Sequence, residues 1–402
     1  MKQPKIRFKR FSGEWEEKNI ASIANLKAGK SINTSQEISY PSNGYYPCYG
    51  GNGLRGFVRD YTHDGIYNII GRQGALCGNV KLVSGKFHAT EHAVVVSPTT
   101  PLDPYFLYNL LTKANINQYA TGVAQPGISV QNVNKSLFLV LPNFAEQRTV
   151  GMYFQHLDSL IQSTAKKIDS LKQVKAASLQ SMFPQEGETT PRVRFKGFEG
   201  EWEIVPFAKV FSFVKNNSFT RDQLSVSEGE VKNVHYGDVL IKFGDIIDGK
   251  KDCLPYIIGL KQSNKLCQTA LLRDGDIIIA DAAEDNTVGK CSEMFNINNE
   301  YVLSGLHTIA CRPLIIFALG YLGHYMNTDS YHNQLLPLIQ GSKISSISKS
   351  AVLQTSILFP SYAEQQQIAS YFTALDSQIS LHSQRLEKLK QIKSACLDNM
   401  FV

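Results

Sequence analysis

Three stretches of this chain carry residue types at spacings that perform chemistry in other proteins. Gly51-Asn52-Gly53-Leu54-Arg55-Gly56 satisfies the Gly-x-Gly-x-x-Gly pattern of a dinucleotide turn, whose backbone amides approach a pyrophosphate. The segment Ala24 to Ser31 ends in Gly29-Lys30-Ser31 and approximates a phosphate-binding loop with alanine in first position. His88-Ala89-Thr90-Glu91-His92 spells an inverted zinc-protease motif, two imidazoles and a carboxylate for one metal.

Each motif needs a frame that its neighbours do not supply. A dinucleotide turn requires strand, turn and helix, but the residues after Gly56 (FVRDYTHDG) are poor helix formers. A phosphate loop needs a following helix N-terminus, and INTSQEISYPSNG cannot provide one. The histidine motif works on a helix, where both imidazoles share a face, yet AVVVSP continues it as a strand. The second half of the chain repeats none of the three. The sequence therefore predicts no catalytic residue, metal site or resident cofactor.

The elements that position side chains follow from length and repetition. At 402 residues and 44.8 kDa the chain is too long for one ordinary domain, and 43% hydrophobic residues suffice for real cores. The longest apolar stretch, around Leu314 to Gly323, is about half of the ~20 residues that cross a bilayer. The N-terminus lacks the hydrophobic region of a signal peptide. Seven scattered cysteines without a Cys-x-x-Cys pair suit a reducing cytoplasm, so a cytoplasmic protein with no membrane partner is expected. Forty-one basic against 35 acidic residues give +6, compatible with nucleic acid but not diagnostic of it.

The chain is written twice. PKIRFKRFSGEWE from Pro4 to Glu16 returns as PRVRFKGFEGEWE from Pro191 to Glu203, with nine of thirteen positions identical. Pro142 to Phe183 returns from Pro360 to Phe401, with Ala-Glu-Gln, Tyr-Phe, Leu-Asp-Ser, Leu-Lys-Gln and Met-Phe in place. The middles between these strips diverge, so different jobs belong there. The boundaries read as a domain 1–142, a helix 143–183, a linker 184–190, a domain 191–360 and a helix 361–402.

The repeated C-terminal strips read as helices. Phe154, Leu157, Ile161, Thr164, Ile168 and Leu171 alternate spacings of three and four, as do Phe372, Leu375, Ile379, His382, Leu386 and Leu389. These are two coiled-coil seams, with Asn143 and Ser361 as caps. The middles read as short strands, Gly65 to Val83 and His92 to Ser97 in one half, Val234 to Ile247 and Gly275 to Ala280 in the other. Helices are expected at Tyr105 to Lys113 and Phe317 to Asn327, followed by the loops TGVAQPGIS from Thr121 and GSKISSIS from Gly341. The fold class is α+β: two pseudo-repeated globular domains separated by two long helices. The short linker puts the second domain at the far end of a rod of ~60 Å, so its own helix can pair along the first only in antiparallel fashion. Such a chain offers two unlike reading heads, an arrangement suited to a bipartite DNA site.

The duplicated Pro-x-[Ile/Val]-Arg-Phe-x-x-Phe-x-Gly-Glu-Trp strip, the Ala-Glu-Gln helix starts at Ala145 and Ala363, the Leu-Asp-Ser segments and the Lys-Gln-[Val/Ile]-Lys helix ends resemble the specificity (S) subunit of type I restriction-modification systems. The resemblance implies two target-recognition domains on double-stranded DNA, helices that serve as spacer and docking surface for two methyltransferase (M) subunits, and restriction (R) subunits in the full complex. S-adenosylmethionine, ATP and Mg would then belong to those partners, with adenine methylation and cleavage, and this chain would be non-catalytic. The competing classes are a stand-alone DNA-modifying enzyme and a coiled-coil scaffold without a DNA role.

Glycine-rich loops let backbone approach phosphates, while Arg, Lys, Asn and Gln distinguish base edges. The DNA-binding candidates in the first domain are Tyr49, Asn52, Arg55, Arg72, Gln73, Asn79 and Lys81. In the second they are Lys242, Lys250, Lys251, Asn286, Thr287, Lys290, Lys343 and Ser345. On the helices Glu146, Gln147, Arg148, Lys172 and Lys175, with Glu364, Gln365, Lys390 and Lys393, recur outside the seam, as a partner docking twice would require.

Overall fold

The computed structural model describes residues 3–74, 76–121, 126–298, 300–341 and 343–402, the side chain of Thr34 excepted. Residues 122–125 of the loop from Thr121, and Ser342 of the loop from Gly341, lie outside the described residues. The chain divides into two units, one of residues 1–166 with 382–402, the other of residues 167–381.

In the first unit six strands follow the order Ala24–Ala28, Ala93–Pro98, His63–Gly71, Val80–Ala89, Tyr46–Gly50, Gly53–Val58. The run Ala93-Val94-Val95-Val96 is apolar at every position because both faces of this sheet are covered. Val94 and Val96 join Phe106, Leu107, Leu110 and Leu111 of the helix Pro104–Lys113, together with Trp15, Phe154 and Phe401. Val95 turns the other way, toward Ile69, Val83 and Phe87.

The second unit has a five-stranded sheet, Phe211–Val214, Thr308–Pro313, Ile277–Ala280, Cys291–Phe295, Ile246–Asp248, and a four-stranded one built around Lys232–Val234. Ile277 and Ile279 face a core with Trp202, Phe183 and Phe372, whereas Ile278 faces Val239, Phe243 and Met294. Between Val234 and Ile247, read as strand from the sequence, residues Tyr236–Ile241 form a helix, because His235 Nδ1 accepts from Gly237 N–H at its start. The expected helix from Phe317 to Asn327 is confined to Tyr321–Tyr325, entered through Gly320 at φ 90°.

The two repeated strips fold alike in both units. Glu16–Asn19 pairs antiparallel with Leu137–Val140, and Glu203–Pro206 with Ser356–Phe359. Arg7 grips Glu146 through Nε and Nη2 at 2.7 and 2.8 Å, and Arg194 grips Glu364 at the same two distances. Gln147 receives the Asp103 amide and donates to Leu141 O; Gln365 receives the Ala318 amide and donates to Pro360 O. The expectation that Glu146, Gln147, Glu364 and Gln365 serve a partner docking on the helices is therefore corrected. They are buried, and they fasten each N-terminal strip and loop to the start of a long helix.

Those helices span Phe144–Met182 and Tyr362–Met400. Asn143 caps the first through its side chain to the Ala145 amide at 2.9 Å. In the first unit Tyr153 Oη meets Cys396 Sγ at 3.3 Å and Phe154 packs on Phe401. In the second Ser178 Oγ meets Tyr371 Oη at 2.9 Å and Phe183 packs on Phe372. Both sets of contacts run antiparallel. Phe154, Leu157, Thr164, Ile168, Leu171, Phe372 and Leu375 are buried, and Ile161, Ile379, His382, Leu386 and Leu389 half-buried, as the seams require. Among the described residues no helix is long and apolar enough to cross a membrane, and all seven cysteines are free.

Candidate DNA interface

In the first unit the Gly-x-Gly-x-x-Gly stretch is a β-hairpin, Tyr46–Gly50 and Gly53–Val58 joined at Gly51 and Asn52. Its turn lies against the turn after Gly71, backbone to backbone. A Cβ on Gly51 would sit 2.5 Å from Gln73 O, and one on Gly71 would collide with Gly51 O. Only glycine permits this approach. The crevice between the turns is lined by Gly50, Asn52, Gly53, Asn79 and Lys81. Gln73 pairs with Gly127 from the following loop, and Arg72 O accepts the Ile128 amide at 2.8 Å.

Five of the seven first-domain candidates are thereby collected. Asn52, Gln73, Asn79 and Lys81 are exposed around the crevice, and half-buried Arg72 reaches Glu91 O at 3.4 Å. Arg55 borders the group along Gly50 but pairs with Glu37 at 2.7 Å. Tyr49 belongs to the opposite core instead: its ring packs on Phe87, and burial pushes its phenol up. His92, not among the sequence candidates, borders the same turn: its carbonyl accepts the Arg72 amide and its Nε2 lies 3.4 Å from Glu91 Oε1. It is one imidazole of the dismissed zinc-like motif. His88, its other imidazole, is buried and donates from Nε2 to Lys30 O at 2.9 Å, away from any shared ligand position.

The second-domain candidates fall into separate groups. Lys242, Lys250 and Lys251 surround the turn after Asp248: Lys242 donates to Cys253 O, the Lys250 amide to Asp248 Oδ1, and Lys251 pairs with Asp248 Oδ2 at 3.3 Å. Of the others, Ser345 lies on the strand Ser345–Ser346 paired with Ala282–Ala283, Asn286 O accepts from His332 Nε2 at 3.1 Å and the Thr287 amide donates to Asp285 Oδ1 at 2.9 Å. The Lys290 ammonium donates to Leu240 O at 2.9 Å and Phe243 O at 3.0 Å, closing the end of the helix Tyr236–Ile241, and burial pushes its pKa down.

One group of ionisable side chains gathers around the buried His324. Asp245, His324 and Asp376 place possible ligand atoms within 4.8 Å of one another. Lys175 stands between the two carboxylates at 2.7 and 2.6 Å, so their charge is met by an internal cation. Burial alone would raise the Asp245 carboxyl, but the hydrogen bond with His324 and the Lys175 ammonium overcome it and hold the group down at about 2.

The model of the type I restriction modification DNA specificity domain matches residues 12–173 and again 199–391, most of the chain and the same division as the internal repeat. The chain belongs to this family. It is 40% identical over 159 residues to the type I restriction enzyme EcoprrI specificity subunit of Escherichia coli, 39% of either chain. It is 23% identical over 192 residues to the type I restriction enzyme EcoKI specificity subunit of Escherichia coli strain K12, 48% of this chain and 39% of that one. Both alignments thus span well under half of the relative's length. In fold, the chain is similar to the crystal structure of a type I restriction-modification S subunit from M. genitalium, with a TM-score of 0.68 at 15% identity over 100% of this chain and 99% of that one. A second structure, solved in work on complex assembly and conformational transition of the type I R-M system, has a TM-score of 0.50 at 15% identity, covering 96% and 97%.

Proposed function

We propose that this chain is the sequence-recognition subunit of a type I restriction-modification complex, each domain reading one half of a bipartite DNA target. One observation carries the reading: the family model matches twice in one chain, once around each divergent middle, while the strips flanking the middles repeat. Two different readers held in a common frame suit two different half-sites. In the first domain the glycine turns at Gly51 and Gly71 would let the chain approach a phosphate, with Lys81 beside them, and Asn52, Arg72, Gln73 and Asn79 would offer donors and acceptors to base edges. In the second, Asn286, Thr287, Lys343 and Ser345 would fill the same role.

The helix pair would fix the spacing of the half-sites and dock two methyltransferase subunits, whose exposed contacts on this chain would include Arg148, Lys172 and Lys390. The chain itself would be non-catalytic. S-adenosylmethionine would bind the methyltransferase subunits, and ATP and Mg the restriction subunits. The test is co-expression with the cognate methyltransferase subunit in a host free of adenine methylation, followed by sequencing of modified adenines. The expected result is a two-part motif with a spacer of fixed length. A one-part motif, or methylation by this chain alone with S-adenosylmethionine, overturns the reading.

A further inference from the structure

Four non-glycine residues among those described adopt left-handed backbone. Three are Asn115, Asn296 and Asn298, and the fourth is His307 at φ 55°. Asparagine, aspartate and histidine are the side chains that visit that region most readily, and at His307 the neighbours fix which way the ring then points. Those neighbours are specific. The Asp281 amide donates to His307 O at 3.1 Å, and His307 Nδ1 lies 3.3 Å from Asp281 Oδ1. The Tyr236 ring stands edge-on to the imidazole at 5.3 Å and 75°, and is itself backed by His235 at 4.6 Å. The His307 side chain nevertheless remains 51% exposed.

Two consequences follow from this geometry. An ionised carboxylate only accepts, so the contact with Asp281 Oδ1 places a proton on Nδ1, and in the neutral tautomer that this contact selects Nε2 is the acceptor. The ring also lies beside the Ser345 candidate's strand, since Asp281 immediately precedes Ala282–Ala283, the strand paired with Ser345–Ser346, and the Asp281 carbonyl accepts the Ile347 amide at 2.9 Å. We propose that His307 is a base-reading side chain of the second domain, positioned by Asp281 so that Nε2 accepts a hydrogen bond from the exocyclic amine of an adenine or a cytosine. Phosphate oxygens carry no proton to give, so a neutral Nε2 has no use for them; in the major groove the donors are adenine N6 and cytosine N4. Asp281 is the positioning residue, fixing the tautomer without touching DNA.

The inference rests on the proposed role of the domain, and the experiment separates the two. The methyltransferase complex is prepared with the wild-type chain and with H307A, H307Q and D281N, and modified adenines are sequenced for each. H307A is expected to relax one position in one half of the motif, leaving the other half unchanged, and to weaken binding of the cognate duplex on the order of tenfold to a hundredfold. D281N admits the other tautomer, whose Nε2–H donates, so guanine should become acceptable at that same position. H307Q keeps a side-chain acceptor and serves if the alanine variant folds poorly; it is expected to change preference at the same position only. Motifs identical to wild type in all three variants overturn the inference. So does a uniform loss of affinity with a shallower salt dependence, the mark of a phosphate contact. A wild-type complex without a two-part motif overturns the underlying functional reading and this inference with it.

Discussion

Lys175 of the first long helix meets Asp376 of the second at 2.6 Å, and Lys393 of the second meets Asp158 of the first at 2.6 Å. The two pairs are one interaction written twice, with donor and acceptor exchanged between the helices. Their settings differ. Lys175 also serves Asp245, and its side chain is 17% exposed, whereas Asp158 is 39% exposed and Lys393 lies over the Tyr108 ring. Removing Lys175 as K175M leaves the Asp245 carboxylate to His324 and Asn327, with Asp376 facing solvent, and should destabilise the second unit by about 1–3 kcal/mol. K393M should cost about 1 kcal/mol or less, and D158K combined with K393D should recover it. Urea unfolding of the three variants and the wild type measures these differences.

Phe401 packs on Trp15, Phe106 and Phe154 at ring separations of 5.8, 5.4 and 5.7 Å. Phe183 packs in the same way on Trp202, Tyr321 and Phe372 at 6.0, 5.9 and 5.7 Å. Each directly follows the last residue of a long helix and closes the core of the domain that belongs to the other repeat. F401A and F183A should each cost about 3–5 kcal/mol, with loss of near-ultraviolet dichroism confined to the affected unit. Equal loss in both units would contradict the division described here.

Glu293 lies in the second-unit core, its two carboxylate oxygens each accepting an amide at 2.8 Å, from Gly320 and Gly323. Burial pushes its carboxyl up to about 7, against the pull of those amides. The unfolded chain releases this proton near the ordinary value of 4.5, so the folded state holds more protons between the two values. Stability from this group is complete below about 4.5 and is lost as pH rises through about 7, roughly 3 kcal/mol in all. Asp245 acts in the opposite sense, and its contribution is lost only as pH falls toward about 2. Denaturant unfolding from pH 4 to 8 should show the decline, and E293Q should flatten it.

Arg72, Lys81 and Lys290 should separate three kinds of contact. R72A is expected to lower affinity for the cognate site by about 1–3 kcal/mol as a base contact. K81A should weaken all sequences alike and reduce the salt slope by about one phosphate. K290A should leave binding specificity intact and lower stability, because its ammonium closes the helix Tyr236–Ile241. Titration of the methyltransferase complex on cognate and unrelated duplexes at several salt concentrations distinguishes these outcomes.

The parts of the molecule written by periodicity or repetition were legible from the sequence. The seams from Phe154 to Leu171 and from Phe372 to Leu389, and their antiparallel pairing, follow from spacing and linker length alone. Side chains whose role depends on a distant partner were not. Glu146 and Glu364 look like solvated helix positions until Arg7 and Arg194, 139 and 170 residues away, arrive beside them. Lys290 reads as a free cation for the same reason, since its carbonyl partners lie 47 and 50 residues upstream. In the first domain the glycines marked the crevice, because close backbone approach selects the residue type itself. Nothing local marked His307, whose neighbours Asp281 and Tyr236 lie 26 and 71 residues upstream, Tyr236 at the start of the helix Tyr236–Ile241.

The closure of the first unit by Phe401 has a consequence for biosynthesis. As the chain emerges from the ribosome, Trp15, Phe106 and Phe154 are made long before the residue that covers them. The second unit receives Phe183 early, within its own contiguous stretch. Maturation is therefore expected out of order, the later-made half setting first and the earlier-made half waiting for the tail.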